Sequence, residues 1–207
     1  MKKFFMLCLI VGFLIPAFAF AEVSVLKGKE VGDLDYEKDG GVWENEKDNV
    51  SDKLFFVIDA DPAQISDDNY KINYLELISY WKEGKPIKKY YEKYVFNLEE
   101  DDIQLVDLGK KNNVAMTFFV EEEEENQSEK TMGVLKGKKK GDYIKSLKGY
   151  INSIEKESDD LFWFETFKWN LTRTKRFDDP VKSGEEIADD IESYLKSKDY
   201  EEELEDD

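Results

Sequence analysis

The sequence contains no histidine, and Cys8 is the single cysteine among its 207 residues. Without imidazole or a pair of thiols, the chain cannot assemble a Ser-His-Asp or Cys-His nucleophile. A zinc centre of the usual His and Cys ligands is excluded for the same reason. The glycines also lack the spacing of a phosphate-binding loop. Carboxylate chemistry remains open, because the chain carries 48 Asp and Glu residues.

Positive charge is scarce. The chain has 30 Lys and Arg residues, which leaves a formal net charge of −18. A nucleic-acid binder needs basic surface that displaces counterions from phosphates, so no nucleic-acid partner is expected. The one basic cluster, residues 136–140, is expected to be a solvated loop, and anionic membrane surfaces are disfavoured. The overall field favours cationic partners or metal cations.

The N-terminus has the three zones of a cleaved signal peptide. Lys2 and Lys3 precede an apolar segment, residues 4–15, that is too short to span a bilayer. Small residues then occupy the positions before the expected cut, Ala19 and Ala21. Residues 1–21 are therefore predicted to be removed, and the mature chain is predicted to be a periplasmic or secreted bacterial protein. Removal of Cys8 leaves no disulfide, and no later apolar stretch is long enough for a membrane span.

Apolar periodicity predicts a chain rich in hairpins. Strands are expected at residues 53–58, 71–82, 87–98, 103–108, 114–120, 131–135 and 161–172. Helices are expected at residues 142–157 and from Ser183, where a capping box begins. These elements predict one α+β domain over residues 22–198, an antiparallel sheet packed by one or two C-terminal helices. A β-sandwich with a helical appendage is the alternative. Residues 199–207 are expected to be a disordered acidic tail.

One short segment resembles an EF-hand-type calcium loop. Asp35, Glu37 and Asp39 occupy the first three ligand positions, Gly40 occupies the turn position, and Glu46 occupies the bidentate position. The alternative is a plain β-hairpin that turns at residues 39–41, since Asp-Gly is a strong hairpin signal. No other cofactor is expected.

Acidic pairs supply a second hypothesis, a glycosidase that uses two carboxylates beside aromatic platforms. The pairs are Asp59 and Asp61, Asp67 and Asp68, Asp159 and Asp160, and Asp178 and Asp179, with Trp81, Trp163 and Trp169 as platforms. Each pair also lies at an element boundary, where Asp residues commonly form turns and caps. The favoured expectation is therefore a non-enzymatic binding or interaction protein. A carboxylate enzyme and a calcium-stabilised module are the alternatives.

Expression of the full chain in an exporting bacterium should yield a protein whose mass corresponds to a start at Glu22. Replacement of Ala19 by Arg should block cleavage, because the peptidase accepts small residues at that position. Intact-mass measurement of both products checks this. A wild-type protein that retains residues 1–21 would contradict the prediction.

Overall fold

The computed structural model describes residues 22–32, 35–39, 42–46, 53–66, 69–109, 111–123, 128–156 and 161–203. These residues form twelve strands and one helix. The strands are β1 (Glu22–Gly32), β2 (Asp35–Asp39), β3 (Val42–Glu46), β4 (Lys53–Ser66), β5 (Asn69–Glu83), β6 (Lys88–Val95), β7 (Asp102–Asp107), β8 (Asn113–Glu123), β9 (Ser128–Lys140), β10 (Tyr143–Lys156), β11 (Leu161–Arg173) and β12 (Glu201–Glu202). The helix, α1, spans Gly184–Lys196. The predicted signal peptide lies outside the described residues, so cleavage and export stay predictions.

Eight of the strands close into an antiparallel barrel in the order β1, β4, β5, β7, β8, β9, β10 and β11. The closing contact joins β1 to β11, with Leu26 opposite Arg173 and Glu30 opposite Trp169. Along its other edge β1 pairs with β4, so both of its edges are hydrogen-bonded. The β2–β3 hairpin continues the sheet from β11, and β6 continues it from β5.

The predicted α+β architecture is therefore wrong. Its β-sandwich alternative fails too, because a single sheet closes on itself instead of stacking as two. The strands are also longer than predicted: β4 runs to Ser66, beyond the predicted end at Ile58, with breaks in register near Asp59 and Asp61. Such irregular positions let a barrel strand bend without ending.

The predicted hairpins from residue 71 to residue 120 are confirmed. β5 and β6 pair antiparallel across a turn in which Gly84 takes a positive φ of 73°. β7 and β8 pair in the same way, with Leu105 opposite Met116. The predicted strand at residues 161–172 is confirmed as β11. Strong aromatic and β-branched runs with glycine-containing turns were sufficient to place these elements.

The helix predicted at residues 142–157 is wrong, since this segment is strand β10. A break in register between Ile144 and Ser146 allows Ile144 and Leu147, three residues apart, both to be buried. Leu147 and Ile151 are four residues apart, a spacing that suits a helix and a strand equally well. Ile154, which completes the apparent stripe, is 37% exposed. The bulge therefore gives the apolar residues of β10 a spacing that resembles that of an amphipathic helix.

The expected basic loop at residues 136–140 is also wrong, because β9 runs from Ser128 to Lys140 and includes it. The cluster of lysines suggested a solvated loop. In the barrel, Gly133 makes room for the Phe118 ring of the neighbouring strand, since an added Cβ would lie 2.2 Å from that ring. A glycine within a strand commonly marks such a close approach.

Buried side chains form two clusters on opposite faces of the barrel wall. The inner cluster fills the barrel and includes Phe56, Met116, Leu135, Leu147 and Trp169. The outer cluster lies between the wall and α1. It joins Val25, Phe55, Val57, Ile78 and Tyr91 to Ile187, Ala188, Ile191 and Leu195 of the helix. Both faces of β4 and β5 are therefore apolar, because one face lines the barrel interior and the other packs against α1.

The start of α1 is fixed by polar contacts. Ser183 and Glu186 form the predicted capping box, which is confirmed. Asp59 on β4 accepts a hydrogen bond from the Gly184 amide at 3.0 Å, which ties the helix N-terminus to the wall. A carboxylate at this end also interacts favourably with the helix dipole. Within the described residues, no helix combines the length and the apolar composition needed to cross a membrane.

The segment after α1 returns to the sheet. Glu201–Glu202, within the predicted tail, pairs in parallel with Tyr90 and Tyr91 of β6, and residues 204–207 lie outside the described part of the chain. Tyr91 is fully buried, and its hydroxyl lies 2.9 Å from a Glu192 oxygen and 3.2 Å from a Glu202 oxygen. Lys93 pairs with the same two carboxylates at 3.3 Å and 2.9 Å. This network joins α1, β6 and β12.

Replacement of Tyr91 by Phe should destabilise the fold by about 1–3 kcal/mol, because the partly buried carboxylates of Glu192 and Glu202 lose the buried hydroxyl donor that they share. Denaturant unfolding followed by circular dichroism measures the change. Tyr150→Phe is the matched control, since Tyr150 is 48% exposed, and it should unfold like the wild type. Equal stability of the two variants would contradict the network's role.

Glu76 lies almost fully buried beneath α1 and accepts a hydrogen bond from the Tyr74 hydroxyl. Burial raises the pKa of Glu76, an effect that Tyr74 and Lys93 oppose in part. A raised pKa means that the folded protein binds the proton more tightly than the unfolded chain does. The contribution of Glu76 is therefore fully favourable below its ordinary pKa and is lost as the pH rises through its folded pKa.

Glu76→Gln should accordingly unfold at a higher temperature than the wild type at pH 7, and the difference should shrink towards pH 4. Thermal melts of both proteins across this range test the prediction. Glu83→Gln, at the end of the same strand, is the exposed control. A variant less stable than the wild type at pH 7 would show that the charged form is favoured instead.

Candidate functional site

The residues predicted to bind calcium lie in the β2–β3 hairpin. Asp35 is paired with Glu46, and Asp39 with Val42, in a regular antiparallel register. Glu37 lies between them on β2, opposite Glu44. This backbone has the form of the hairpin alternative. The side chains of these residues lie outside those described, so the calcium site at Asp35, Glu37, Asp39 and Glu46 stays a prediction.

The acidic pairs do not converge on one cleft where they are described. Asp59 holds the start of α1 and also accepts from the Asn73 amide at 3.4 Å. Asp178 forms an ion pair with Arg173 at 2.9 Å, and Asp179 accepts from the Val181 amide in a turn. These are structural contacts. Residues 67, 68, 159 and 160 lie outside the described part of the chain.

A cavity opens between β6 and β8. In the described part of the chain, β6 pairs with β5 and β12 alone, so no backbone ladder joins it to β8. The split leads to two adjoining spaces of about 390 Å³ and about 230 Å³, which share seven lining residues. The floor lies in the barrel interior, where Leu77, Ile151 and Trp169 line both spaces. This end of the barrel is thus incompletely filled by its own side chains.

Aromatic rings form much of the wall of this cavity. Tyr94 of β6 and Phe96, which directly follows that strand, meet edge to face at 4.8 Å between ring centres. Phe96 contacts Phe118 at 5.4 Å, and Phe118 lies 6.0 Å from Trp169. Edge-to-face and tilted pairs at these distances are favourable and hold the rings in fixed orientations. The cavity therefore presents a rigid aromatic surface that needs little ordering when a ligand binds.

Carboxylates surround the aromatic surface. Glu92, Glu122, Glu129 and Glu165 line one or both spaces, and Lys93 is the single basic side chain among the described lining residues. Lys93 itself pairs with Glu192 and Glu202. The wall therefore has an excess of negative charge, and partial enclosure by protein of low dielectric constant strengthens that field.

Hydrogen bonds position the polar groups of this site. Glu129 accepts from the Ser153 hydroxyl at 2.6 Å and from the Thr131 hydroxyl at 2.9 Å. Burial, together with the carboxylates of Asp101 and Glu122, raises the pKa of Tyr94 above that of an ordinary phenol. Tyr94 therefore stays neutral at physiological pH and donates its hydrogen bond to the Glu122 carboxylate. The site combines apolar rings, fixed carboxylates and a phenol donor.

Sequence reasoning located part of this site. It named Trp169 as an aromatic platform, and Trp169 forms the floor. It missed the four glutamates, because their place in the cavity depends on which face of a strand each one occupies; Glu122 lies within β8, which continues to Glu123. The two-residue alternation of side chains along a strand could have located two of them. Glu122 lies two residues beyond Val120, and Glu165 lies two residues before Phe167, so each is on the inward face of its strand. Trp81 instead lies 6.0 Å from Tyr90, and the Trp163 side chain is outside those described.

Among the described residues, no group of three or more His, Cys, Asp or Glu side chains is arranged so that it could hold a metal ion. Comparison with known proteins adds no functional assignment. No protein-family model, no curated protein and no solved structure matches the chain significantly. Any inference about activity must therefore come from the cavity itself.

Proposed function

We propose that this protein is a non-enzymatic binding protein that holds a small, cationic aromatic or aliphatic ligand in the cavity between β6 and β8. The observation that carries the proposal is the joint presence of an aromatic floor and a carboxylate wall in one open cavity. Small-ligand sites are typically concave, mostly apolar and provided with a few polar groups that fix orientation. The cavity has each of these properties.

Size supports a small ligand in place of a polymer. The larger space, at about 390 Å³, lies within the usual range of roughly 300–1,000 Å³ for such sites. An incompletely filled barrel end is where eight-stranded barrels commonly hold one small molecule. Burial of the ligand's apolar body against Ile151 and Trp169 would supply most of the affinity.

Charge supports a cation. Four carboxylates line the cavity, and the one lysine among the described lining residues is paired with two further glutamates. A protonated amine would gain from this field and could also lie over an aromatic ring, which attracts cations. An anion of equal size would be repelled. The site therefore favours a ligand with an apolar body and one positive group.

A glycosidase is the second candidate, because Trp169 and several carboxylates lie in the same cavity. Hydrolysis of a glycosidic bond requires two carboxyl groups about 5–10 Å apart on either side of the scissile bond. Release of reducing sugar from cell-wall or plant glycans, abolished by Glu129→Gln, would replace the binding proposal by this one.

A matched series of probes tests the binding proposal: 1-naphthylmethylamine, 1-naphthalenemethanol and 1-naphthylacetate. The processed protein should bind the protonated amine about tenfold more tightly than the neutral alcohol, a free-energy difference of about 1.4 kcal/mol, and should bind the acetate least. Isothermal calorimetry measures all three. Ile151→Trp should abolish binding of every probe, because the larger side chain fills the floor.

Charge variants separate the two parts of the site. Glu122→Gln with Glu129→Gln should remove the preference for the amine and leave affinity for the alcohol unchanged. Glu83→Gln with Glu185→Gln, both exposed and outside the cavity, is the control of equal charge change. Failure of the wild type to bind any of the three probes would refute the proposal, as would unchanged binding in Ile151→Trp.

A further inference from the structure

The part of the outer wall formed by β9, β10 and β11 carries positive charge, opposite to the net charge of the chain. Side chains alternate between the two faces of β9, β10 and β11, as their burial patterns show. The outward positions over residues 130–140, 145–154 and 164–172 carry lysine, apolar and neutral polar residues, and no carboxylate. In β11, Glu165 is directed to the cavity instead. Strand alternation has thus separated the charges that the sequence mixes.

Lysines from separate strands adjoin one another on this wall. Lys136 of β9 is paired with Lys148 of β10, which is paired with Asn170 of β11. Lys29 of β1 borders the same groove as Asn170 and is paired with Lys53 of β4. At about 4.8 Å per strand, this row extends about 20 Å around the barrel. It places the basic residues that sequence analysis assigned to a loop on a rigid surface.

A shallow groove of about 520 Å³ concentrates part of this charge. Lys27, Lys29, Lys53 and Lys168 line it around the Tyr80 ring. The ammonium groups of Lys27 and Lys53 lie 5.8 Å and 5.9 Å from the centre of that ring, so they converge above it. All four lysines are exposed to solvent.

Exposed apolar side chains continue the same wall. Val134 is paired with Tyr150, and Met132 with Phe119 of β8, so these residues adjoin across neighbouring strands. They are 45%, 48%, 47% and 39% exposed respectively. A contiguous apolar patch of this kind beside a charged row is typical of an interaction surface. We use the name lysine face for the row, the groove and this patch together.

We propose that the lysine face docks on the surface of a membrane that contains anionic phospholipid. Lysine ammonium groups at the perimeter would contact the phosphates, while Val134 and Tyr150 would enter the headgroup region. Apolar side chains beside lysines are the composition of surfaces that lie at a membrane interface. A protein partner fits less well, because protein interfaces are enriched in arginine and depleted in lysine.

The net charge of −18 does not prevent this contact. At physiological salt the Debye length is about 8 Å, so carboxylates on the far side of the barrel are largely screened from a surface that touches the lysine face. The local charge decides the interaction. It also makes the interaction sensitive to salt.

Vesicle co-sedimentation with the processed protein tests the proposal. Vesicles with about one third phosphatidylglycerol in phosphatidylcholine should bind the protein, binding should weaken strongly in 0.5 M salt, and vesicles of phosphatidylcholine alone should bind little. The triple variant Lys136→Gln, Lys148→Gln, Lys168→Gln should lose affinity on the order of 100-fold, since each lysine contributes about fivefold. The double variant Val134→Ser, Tyr150→Ser should lose about tenfold.

Two controls keep the result specific. Lys82→Gln, Lys85→Gln, Lys88→Gln makes the same charge change at the β5–β6 turn and should bind vesicles like the wild type. Circular dichroism and naphthylmethylamine binding should be unaltered in the test variants, which shows that they fold. The proposal is overturned if phosphatidylglycerol vesicles do not bind, or if the test and control triple variants bind alike. It is also overturned if soluble polyphosphate binds as strongly while the serine variant keeps full vesicle affinity, because the partner would then be a soluble polyanion.

Discussion

Closure of the barrel through the pairing of β1 with β11 is the contact on which the rest of the structure depends. Closure gives the long antiparallel sheet an inner face and an outer face. Successive side chains along each strand therefore alternate between the barrel interior and its outer surface. The inside holds the aromatic core and, where β6 separates from β8, the cavity. The outside carries α1 over one part of the wall and the lysine face over another. Without this contact β1 would present an unpaired edge, which is a site of aggregation.

Much of the local structure could be predicted from the sequence. The hairpins of β5 with β6 and of β7 with β8 follow from aromatic and β-branched runs separated by glycine-containing turns, and the capping box placed α1 correctly. The errors have definite causes. A bulge after Ile144 imitated a helical spacing in β10, and the lysine cluster at residues 136–140 suggested a solvated loop where β9 continues. Closure itself was not predictable, because the partners Leu26 and Arg173 are far apart in sequence and nothing in their local pattern marks them as neighbours.

The candidate site was harder to predict than the fold elements. Trp169 was recognised by its residue type, but the glutamates were not, since their role depends on which face of a strand each one occupies. The same is true of the lysines. Composition alone suggested an acidic protein without basic surface, whereas strand alternation collects carboxylates at the cavity and lysines on the outer wall of β9, β10 and β11. In a barrel, a ligand or partner meets the charge of the one face that it contacts, and the net charge of the chain describes neither the inner nor the outer face.

The central claim is that a closed barrel separates the two kinds of charge. Nuclear Overhauser contacts between backbone protons of β1 and β11 test it most directly, because they report distances across this one pair of strands. The account predicts contacts between Lys27 and Thr172 and between Glu30 and Trp169, together with those of β1 to β4. Contacts of β1 to β4 in the absence of any to β11 would show an open sheet. The sheet would then enclose no interior, and the separation of carboxylates and lysines between an inner and an outer face would not hold.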